Sequence, residues 1–237
     1  MLAIILAGGK GERLRPLTDN LPKVLLPIHG KALLEHVIDV LKKAGVDEVV
    51  LSTSYLADQV RAHFSGRDLG VRLGYLEERK PRGTAGPLLM LKEAGQFPRE
   101  DFFVVNGDNL FSLDLAAMHD YHRAHLGHAT IALTEAADPS AFGVARLDGD
   151  RIAEFVEKPP RAEAPSNLIN SGYYLFSPAI FDFVPDRAFA MLERDVFPAL
   201  ARAGFLYGHR GVGQWFDTGT PERYAQVQRE WRRNPHG

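Results

Sequence analysis

Two rhythms of apolar and polar positions alternate along the chain. It opens on an unbroken apolar run, residues 1–7, of the kind shown by a strand covered on both faces. Over 31–44 the apolar residues Leu33, Leu34, Val37, Ile38 and Leu41 recur at helical spacing, and Gly45 follows where a helix end favours glycine. Residues 46–52 read as a second buried strand, 56–64 as a short helix and 71–77 as a third strand. This alternation predicts a parallel sheet with right-handed crossovers. Further strands are expected at 101–105, 129–134 and 166–176, and a hairpin at 142–156 through Asp148-Gly149-Asp150. Helices are expected after Thr84, read as a cap ahead of Pro87, over 114–125, over 188–203 with a kink near Pro198, and from Thr220 and Pro221 to 232.

Composition narrows the class. With 237 residues, 45% hydrophobic and 24% charged, the chain suits one large folded α/β domain or at most two small ones. No apolar run approaches the ~20 residues of a membrane helix, and no basic leader with a cleavage site precedes the first strand. The absence of cysteine excludes disulfides, thiolate zinc sites and a cysteine nucleophile, and it fits a cytoplasmic protein. A formal net charge of -2 argues against broad nucleic-acid binding.

The charge is not evenly spread. Residues 6–27 carry Lys10, Arg13, Arg15 and Lys23 against Glu12 and Asp19, beside Gly8, Gly9 and Gly11. Glycines let a backbone approach a ligand and present bare N–H groups, and cations beside them favour phosphate. The stretch does not fit a Walker A loop, and a dinucleotide fingerprint needs a glycine where Leu14 stands. A tight turn after a strand explains the glycines but leaves the cations unexplained.

Other stretches carry both a chemical and a plain reading. Arg82-Gly83-Thr84-Ala85-Gly86 is a glycine-rich turn or only a loop feeding a helix. Asp108 lies just past a strand end, where α/β sheets bind ligands, or in a solvated Asn-Gly turn. Glu157-Lys158-Pro159 ends a strand, by default as a solvated edge, and Asp217 by itself reads as the support of a turn. His119, His122, His125 and His128 fall three apart, a spacing that drifts around a helix. They are read as solvated surface.

Taken together these motifs resemble one family. Residues 7–18, Ala-Gly-Gly-Lys-Gly-Glu-Arg-Leu-Arg-Pro-Leu-Thr, followed by Pro22-Lys23-Val24-Leu25-Leu26-Pro27, are similar to the N-terminal signature of the sugar-1-phosphate nucleotidylyltransferases. The Glu-Lys-Pro unit, the stretch from Asn167 to Gly172 with Ser171 in place of the family's alanine, and residues 215–222 extend the match over residues 3–224. The resemblance implies a Rossmann-like three-layer α/β/α fold with a mixed, mostly parallel central sheet, the nucleotide-diphospho-sugar transferase fold. It implies one domain, 1–237, with a nucleotide-binding part over about 1–110 and a sugar-phosphate-binding part over about 111–237. The hexapeptide repeats of a C-terminal β-helix, which some members carry, are not expected here.

The resemblance also implies roles. Arg13 and Lys23 would be catalytic, with Arg13 on the β,γ-phosphates and Lys23 on the α-phosphate. Leu6, Ala7, Gly8, Gly9, Gly11, Gly83 and Thr84 would bind the nucleotide. Gly143, Glu157, Lys158 and Asn170 would bind the sugar phosphate, and Asp108 and Asp217 would hold Mg²⁺. The expected partners are a nucleoside triphosphate and a sugar 1-phosphate, with no nucleic acid and no membrane, and self-association is left open. Gly-Thr-Ala-Gly at 83–86 looks like the guanylyltransferase version, which favours GTP with mannose 1-phosphate or a heptose 1-phosphate. The alternatives are dTTP or UTP with glucose 1-phosphate and UTP with N-acetylmuramic acid 1-phosphate. From other classes, the alternatives are a nucleotide-sugar-dependent glycosyltransferase and a non-catalytic nucleotide-sugar-binding subunit.

Overall fold

The structure, a computed structural model, describes residues 1–232. In chain order the elements are β1 (Leu2–Leu6), β2 (Pro27–Ile28), β3 (Lys31–Ala32), α1 (Leu33–Lys43), β4 (Glu48–Thr53), α2 (Ala57–Phe64), β5 (Arg72–Glu77), α3 (Gly86–Ala94), β6 (Phe102–Asn106), β7 (Asn109–Phe111) and α4 (Leu115–Ala124). They continue with β8 (Ala129–Glu135), β9 (Gly143–Asp148), β10 (Arg151–Glu157), β11 (Leu168–Phe176), α5 (Phe197–Ala203), β12 (Leu206–Arg210), β13 (Trp215–Asp217) and α6 (Pro221–Glu230). The chain divides into two compact units. The first gathers Met1–Lys80, Val105–Leu115 and the segment from Val212 on, and the second gathers Pro81–Val104 and Ala116–Gly211.

In the first unit β1 pairs in parallel with β4, and β4 with β5. Ala3, Ile4, Ile5, Val49 and Leu51 are fully buried, as the unbroken apolar runs require. Helix α1 buries Leu33, Leu34, Val37, Ile38 and Leu41, the stripe read from their spacing. Each such side chain gains about 1.5–3 kcal/mol over leaving it in water. Gly45, at φ 80°, ends the helix, its N–H donating to the Lys42 carbonyl at 3.0 Å. Helix α6 opens as expected: Thr220 Oγ1 accepts the Arg223 N–H at 3.4 Å, and Pro221 takes a first-turn position, where no N–H is needed. Its far end is tied down by Tyr224 and Gln228, which both donate to the Pro27 carbonyl at 2.5 Å, and by buried Trp231.

In the second unit β11 is buried along all nine residues. It pairs antiparallel with β8 and β9. Strand β8 pairs in parallel with β12, while β12–β10 and β10–β9 are antiparallel. The α/β class with mixed strand pairing therefore holds: β1, β4 and β5 of the first unit pair in parallel, the short pairs β2–β3 and β7–β13 are antiparallel, and pairing in the second unit is mainly antiparallel. Phe197 of α5 packs on Phe155 and Tyr174, with ring centroids 5.3 and 5.1 Å apart.

Three local expectations are corrected. Thr84 does not cap α3: the N-cap is Ala85, because the Thr84 hydroxyl is engaged with Glu193 and Leu192. The helix expected from 188 begins only at 192, first as a π turn over Leu192–Val196, because Ala190 is hydrogen-bonded to Arg82 and Ala85. His122 is not solvated. It lies on the face of α4 that buries Leu115 and Met118, and its Nδ1 sits 2.7 Å from Thr130 Oγ1. Among the described residues no helix is long and apolar enough to cross a membrane.

Candidate functional site

The first unit carries a cluster built around the turn after β1. Ala7 continues the strand, its N–H donating to the Ser52 carbonyl at 2.8 Å, and the chain then turns through the glycines. A Cβ on Gly8 would lie 3.1 Å from Ser54 Cβ, while one on Gly9 would meet nothing within 4 Å. Gly11 has φ 65°, and a Cβ there would fall 2.9 Å from Thr18 and 3.1 Å from Lys23 Cβ, so this position admits only glycine. Thr18 Oγ1 and the Leu14 N–H both donate to the Gly11 carbonyl at 2.8 Å, which closes the loop on itself.

This closure sets Lys23. Its side chain is 8% exposed, and Nζ lies 2.5 Å from Asp108 Oδ2. Asp108 follows Gly107, whose N–H donates to the Leu6 carbonyl at 2.9 Å, so the carboxylate is delivered beside the end of β1. Strands β7 and β13 then bring in the second carboxylate. Asn109 stands opposite Asp217, and Thr218 donates to the Asp108 carbonyl through Oγ1 at 2.7 Å and through its N–H at 3.3 Å. Asp217 is ion-paired with Arg223. Arg13 belongs to the same cluster. Its Nη2 lies 2.9 Å, and Asp217 Oδ1 2.8 Å, from the point a Cβ on Gly219 would occupy. Thus Arg13, Lys23, Asp108 and Asp217 come together beside the glycine turn. Lys10 and Arg15 instead face their neighbours Glu12 and Asp19, at 4.0 and 3.3 Å.

The second unit carries the other sequence-derived candidates. Gly83, at φ 81°, sits so close to the Ala190 carbonyl oxygen that a Cβ would lie 2.2 Å from it. The Thr84 hydroxyl accepts the Leu192 N–H at 2.9 Å and donates to Glu193 Oε2 at 2.5 Å. Glu157 is 10% exposed and Lys158 58%, with Nζ 3.3 Å from Glu157 Oε1. Lys158 adopts φ 51°, a left-handed conformation rare outside glycine and held here by its N–H bond to the Phe142 carbonyl at 2.9 Å. A Cβ on Gly143 would fall 2.5 Å from the Phe155 ring and 3.0 Å from Glu157 Oε2, so a larger residue would displace that carboxylate. Asn170 accepts the Gly172 N–H at 2.9 Å and donates to the Tyr174 hydroxyl at 3.0 Å, inside an irregular stretch of β11. Ser171 uses its hydroxyl on the Ala132 carbonyl at 2.7 Å.

Two residues of these clusters escape a reading by motif. Arg223 stands in the first turn of α6, where a cation opposes the helix dipole. That misfit is the signal that an anion waits nearby. Glu193 stands in the charged run Glu193-Arg194-Asp195, which reads as solvated, yet it is 7% exposed. Burial pushes its carboxyl above the ordinary glutamate range, and the Thr84 hydroxyl pulls it back.

Comparison with known proteins fits this arrangement. A family model described as nucleotidyl transferase matches residues 2–234. The chain is similar to mannose-1-phosphate guanyltransferase beta-A of Xenopus laevis, at 39% identity over 228 residues, covering 94% of this chain and 62% of that protein. It is similar to the mannose-1-phosphate guanylyltransferase of Mycobacterium tuberculosis at 38% identity with the same coverage. The chain therefore spans about 62% of the length of these curated relatives. Among solved structures, HddC of Yersinia pseudotuberculosis, complexed with GMP-PN, superposes with a TM-score of 0.78 at 26% identity, covering 96% of this chain and 98% of that one.

Proposed function

The chain belongs to the nucleotidyl transferase family, and from that premise we propose that it joins a nucleoside triphosphate to a sugar 1-phosphate, releasing pyrophosphate and forming a nucleoside-diphosphate sugar. The observation that carries this reading is the gathering of Arg13, Lys23, Asp108 and Asp217 beside the turn of residues 8–11. The preferred substrates are GTP with mannose 1-phosphate or a heptose 1-phosphate. The names of the relatives at 38–39% identity, the guanine nucleotide in the Yersinia structure and the Gly-Thr-Ala-Gly turn support that choice.

The chemistry needs no general base. A phosphate monoester has a second pKa of about 6, so the attacking oxygen is already anionic near neutral pH. The barrier is the meeting of two polyanions in line, and positioning with charge neutralisation lowers it. Backbone N–H groups of residues 8–11 line the triphosphate. Arg13 holds the β,γ-phosphates and then the leaving pyrophosphate. Lys23 exchanges its contact with Asp108 for the α-phosphate as negative charge builds there. Lys158 grips the sugar phosphate, and Glu157 and Asn170 bind sugar hydroxyls.

Asp108 and Asp217 also fit a hard divalent cation. Among the described residues no three His, Cys, Asp or Glu side chains form a metal-binding group. Mg²⁺ is commonly held by one or two carboxylates, with water and substrate phosphates completing its shell. When bound, it supplies further neutralisation of the phosphates.

The test is a panel of ATP, GTP, UTP and dTTP against mannose, glucose, galactose, N-acetylmuramic acid and heptose 1-phosphates, reading pyrophosphate. GTP with mannose or heptose 1-phosphate is expected to release it fastest. A preference for dTTP or UTP with glucose 1-phosphate overturns the substrate choice. No release with any pair overturns the enzyme reading and favours a binding subunit.

A further inference from the structure

We infer that Glu193 is a positioning residue that locks the turn of residues 83–86 and thereby sets the affinity for the nucleotide. This rests on the reading of that turn as a nucleotide-binding element. The turn is fastened to one segment, residues 188–193, through Arg82, Thr84 and Ala85. Arg82 Nε donates to the Ala188 carbonyl at 3.1 Å, the Ala190 N–H to the Arg82 carbonyl at 3.0 Å and the Ala85 N–H to the Ala190 carbonyl at 3.1 Å. Thr84 Oγ1 then accepts the Leu192 N–H at 2.9 Å and donates its hydroxyl hydrogen bond to Glu193 Oε2 at 2.5 Å. Glu193 is thus the terminal acceptor of a chain of hydrogen bonds that begins in the turn.

Three observations argue that this carboxylate does more than fill space. Glu193 is 7% exposed, and a buried carboxylate is unfavourable unless something requires it. It sits in a π turn, Leu192–Val196, closed by the Met191 N–H on Asp195 Oδ2 at 2.7 Å, and π turns cluster at functional sites because they aim side chains a regular helix cannot. It also lies within the electrostatic reach of both Glu157 and Lys158, which push its ionisation in opposite directions. The Thr84 hydroxyl is spent on this network, so the turn offers a ligand its backbone, and the quality of that backbone depends on Glu193. Gly83 lets the turn pack directly on the Ala190 carbonyl, which any side chain there would strike.

The experiment measures equilibrium binding of each of the four nucleotides, with KM and kcat for the best pair, on the full chain and on Glu193→Gln, Glu193→Ala, Thr84→Val and the Glu193→Ala/Thr84→Val pair. Glu193→Ala and Thr84→Val are each expected to weaken nucleotide binding and raise its KM about tenfold, the scale of one lost buried hydrogen bond, with kcat and the sugar-phosphate KM within about threefold. Glu193→Gln, which keeps an acceptor for Thr84, restores binding to within about threefold, and the double variant is no worse than either single one. Thr84→Val carries the test if Glu193→Ala fails to fold. Unchanged nucleotide affinity in both single variants overturns this inference alone, as does a loss confined to kcat or to the sugar phosphate. A wild-type chain that binds none of the four nucleotides overturns the reading of the turn, and this inference with it.

Discussion

Lys23 Nζ lies 2.5 Å from Asp108 Oδ2, joining a lysine that is 8% exposed to a carboxylate that is 37% exposed. The pair is asymmetric. The ammonium is enclosed by the closed loop of residues 11–23, while the carboxylate keeps a face toward solvent. Replacing Lys23 by Met is therefore expected to leave thermal stability within about 1 kcal/mol of wild type, because the exposed side of the pair is solvent-screened. Thermal unfolding of the variant checks this. A collapse of stability would show that Lys23 serves the fold rather than a ligand.

Arg223 occupies Asp217 as Lys23 occupies Asp108. Removing the arginine leaves the carboxylate without that counter-ion and raises its attraction for another cation. Arg223→Gln is expected to tighten binding of Mn²⁺, used as a spectroscopic stand-in for Mg²⁺, by several-fold, the scale of one screened nearby charge. Asp217→Asn is expected to weaken it. Electron paramagnetic resonance of free Mn²⁺ reads both, and equal affinities in all three proteins would remove Asp217 from the cation site.

Gly83 tests the turn by geometry alone. With φ 81° and the Ala190 oxygen 2.2 Å from the site of a Cβ, Gly83→Ala forces the backbone to move. A loss of roughly 1–3 kcal/mol in unfolding free energy is expected from the left-handed conformation and the clash together. Gly9→Ala, at a position with nothing within 4 Å of its Cβ, is expected to leave stability close to wild type. Chemical denaturation of the two variants compares them directly.

His122 gives a pH dependence. Burial holds its imidazole below the usual value of 6.5, and the nearby His119, His125 and His128 add to that, while Asp101, 3.9 Å from Nε2, opposes it. Folded and unfolded chains both carry it neutral at high pH. As pH falls through about 6.5 the unfolded chain takes up a proton that the folded chain refuses, so stability drops toward the folded value. Between about pH 6.5 and 5, wild type is expected to lose stability more steeply than His122→Gln, by at most about 1.4 kcal/mol per pH unit. Parallel slopes for the two proteins would contradict this.

How far the molecule is legible from its sequence depends on the range of each interaction. The stripe of α1 and the cap at Thr220 and Pro221 are set by residues a few positions apart, and the structure shows both. Strands β7 and β13 have three residues each, too few for a period, and their pairing of Asn109 with Asp217 joins positions 108 residues apart. The partners of the site were hidden for the same reason. Nothing near Thr84 announces Glu193, and only the misplaced charge of Arg223 at a helix start hints that it pairs with Asp217. The i, i+3 spacing of His122 with the other histidines masks its burial, which follows instead from the face it shares with Leu115 and Met118.

The central claim is that the cations and carboxylates beside the first glycine turn stabilise a triphosphate during transfer. It is tested most directly by the steady-state rate of pyrophosphate release from GTP and mannose 1-phosphate in Lys23→Ala, compared with wild type at equal folded concentration. A fall in turnover of at least about 10²-fold is expected, the scale of removing one preorganised charge stabiliser. Turnover within a few-fold of wild type would contradict it.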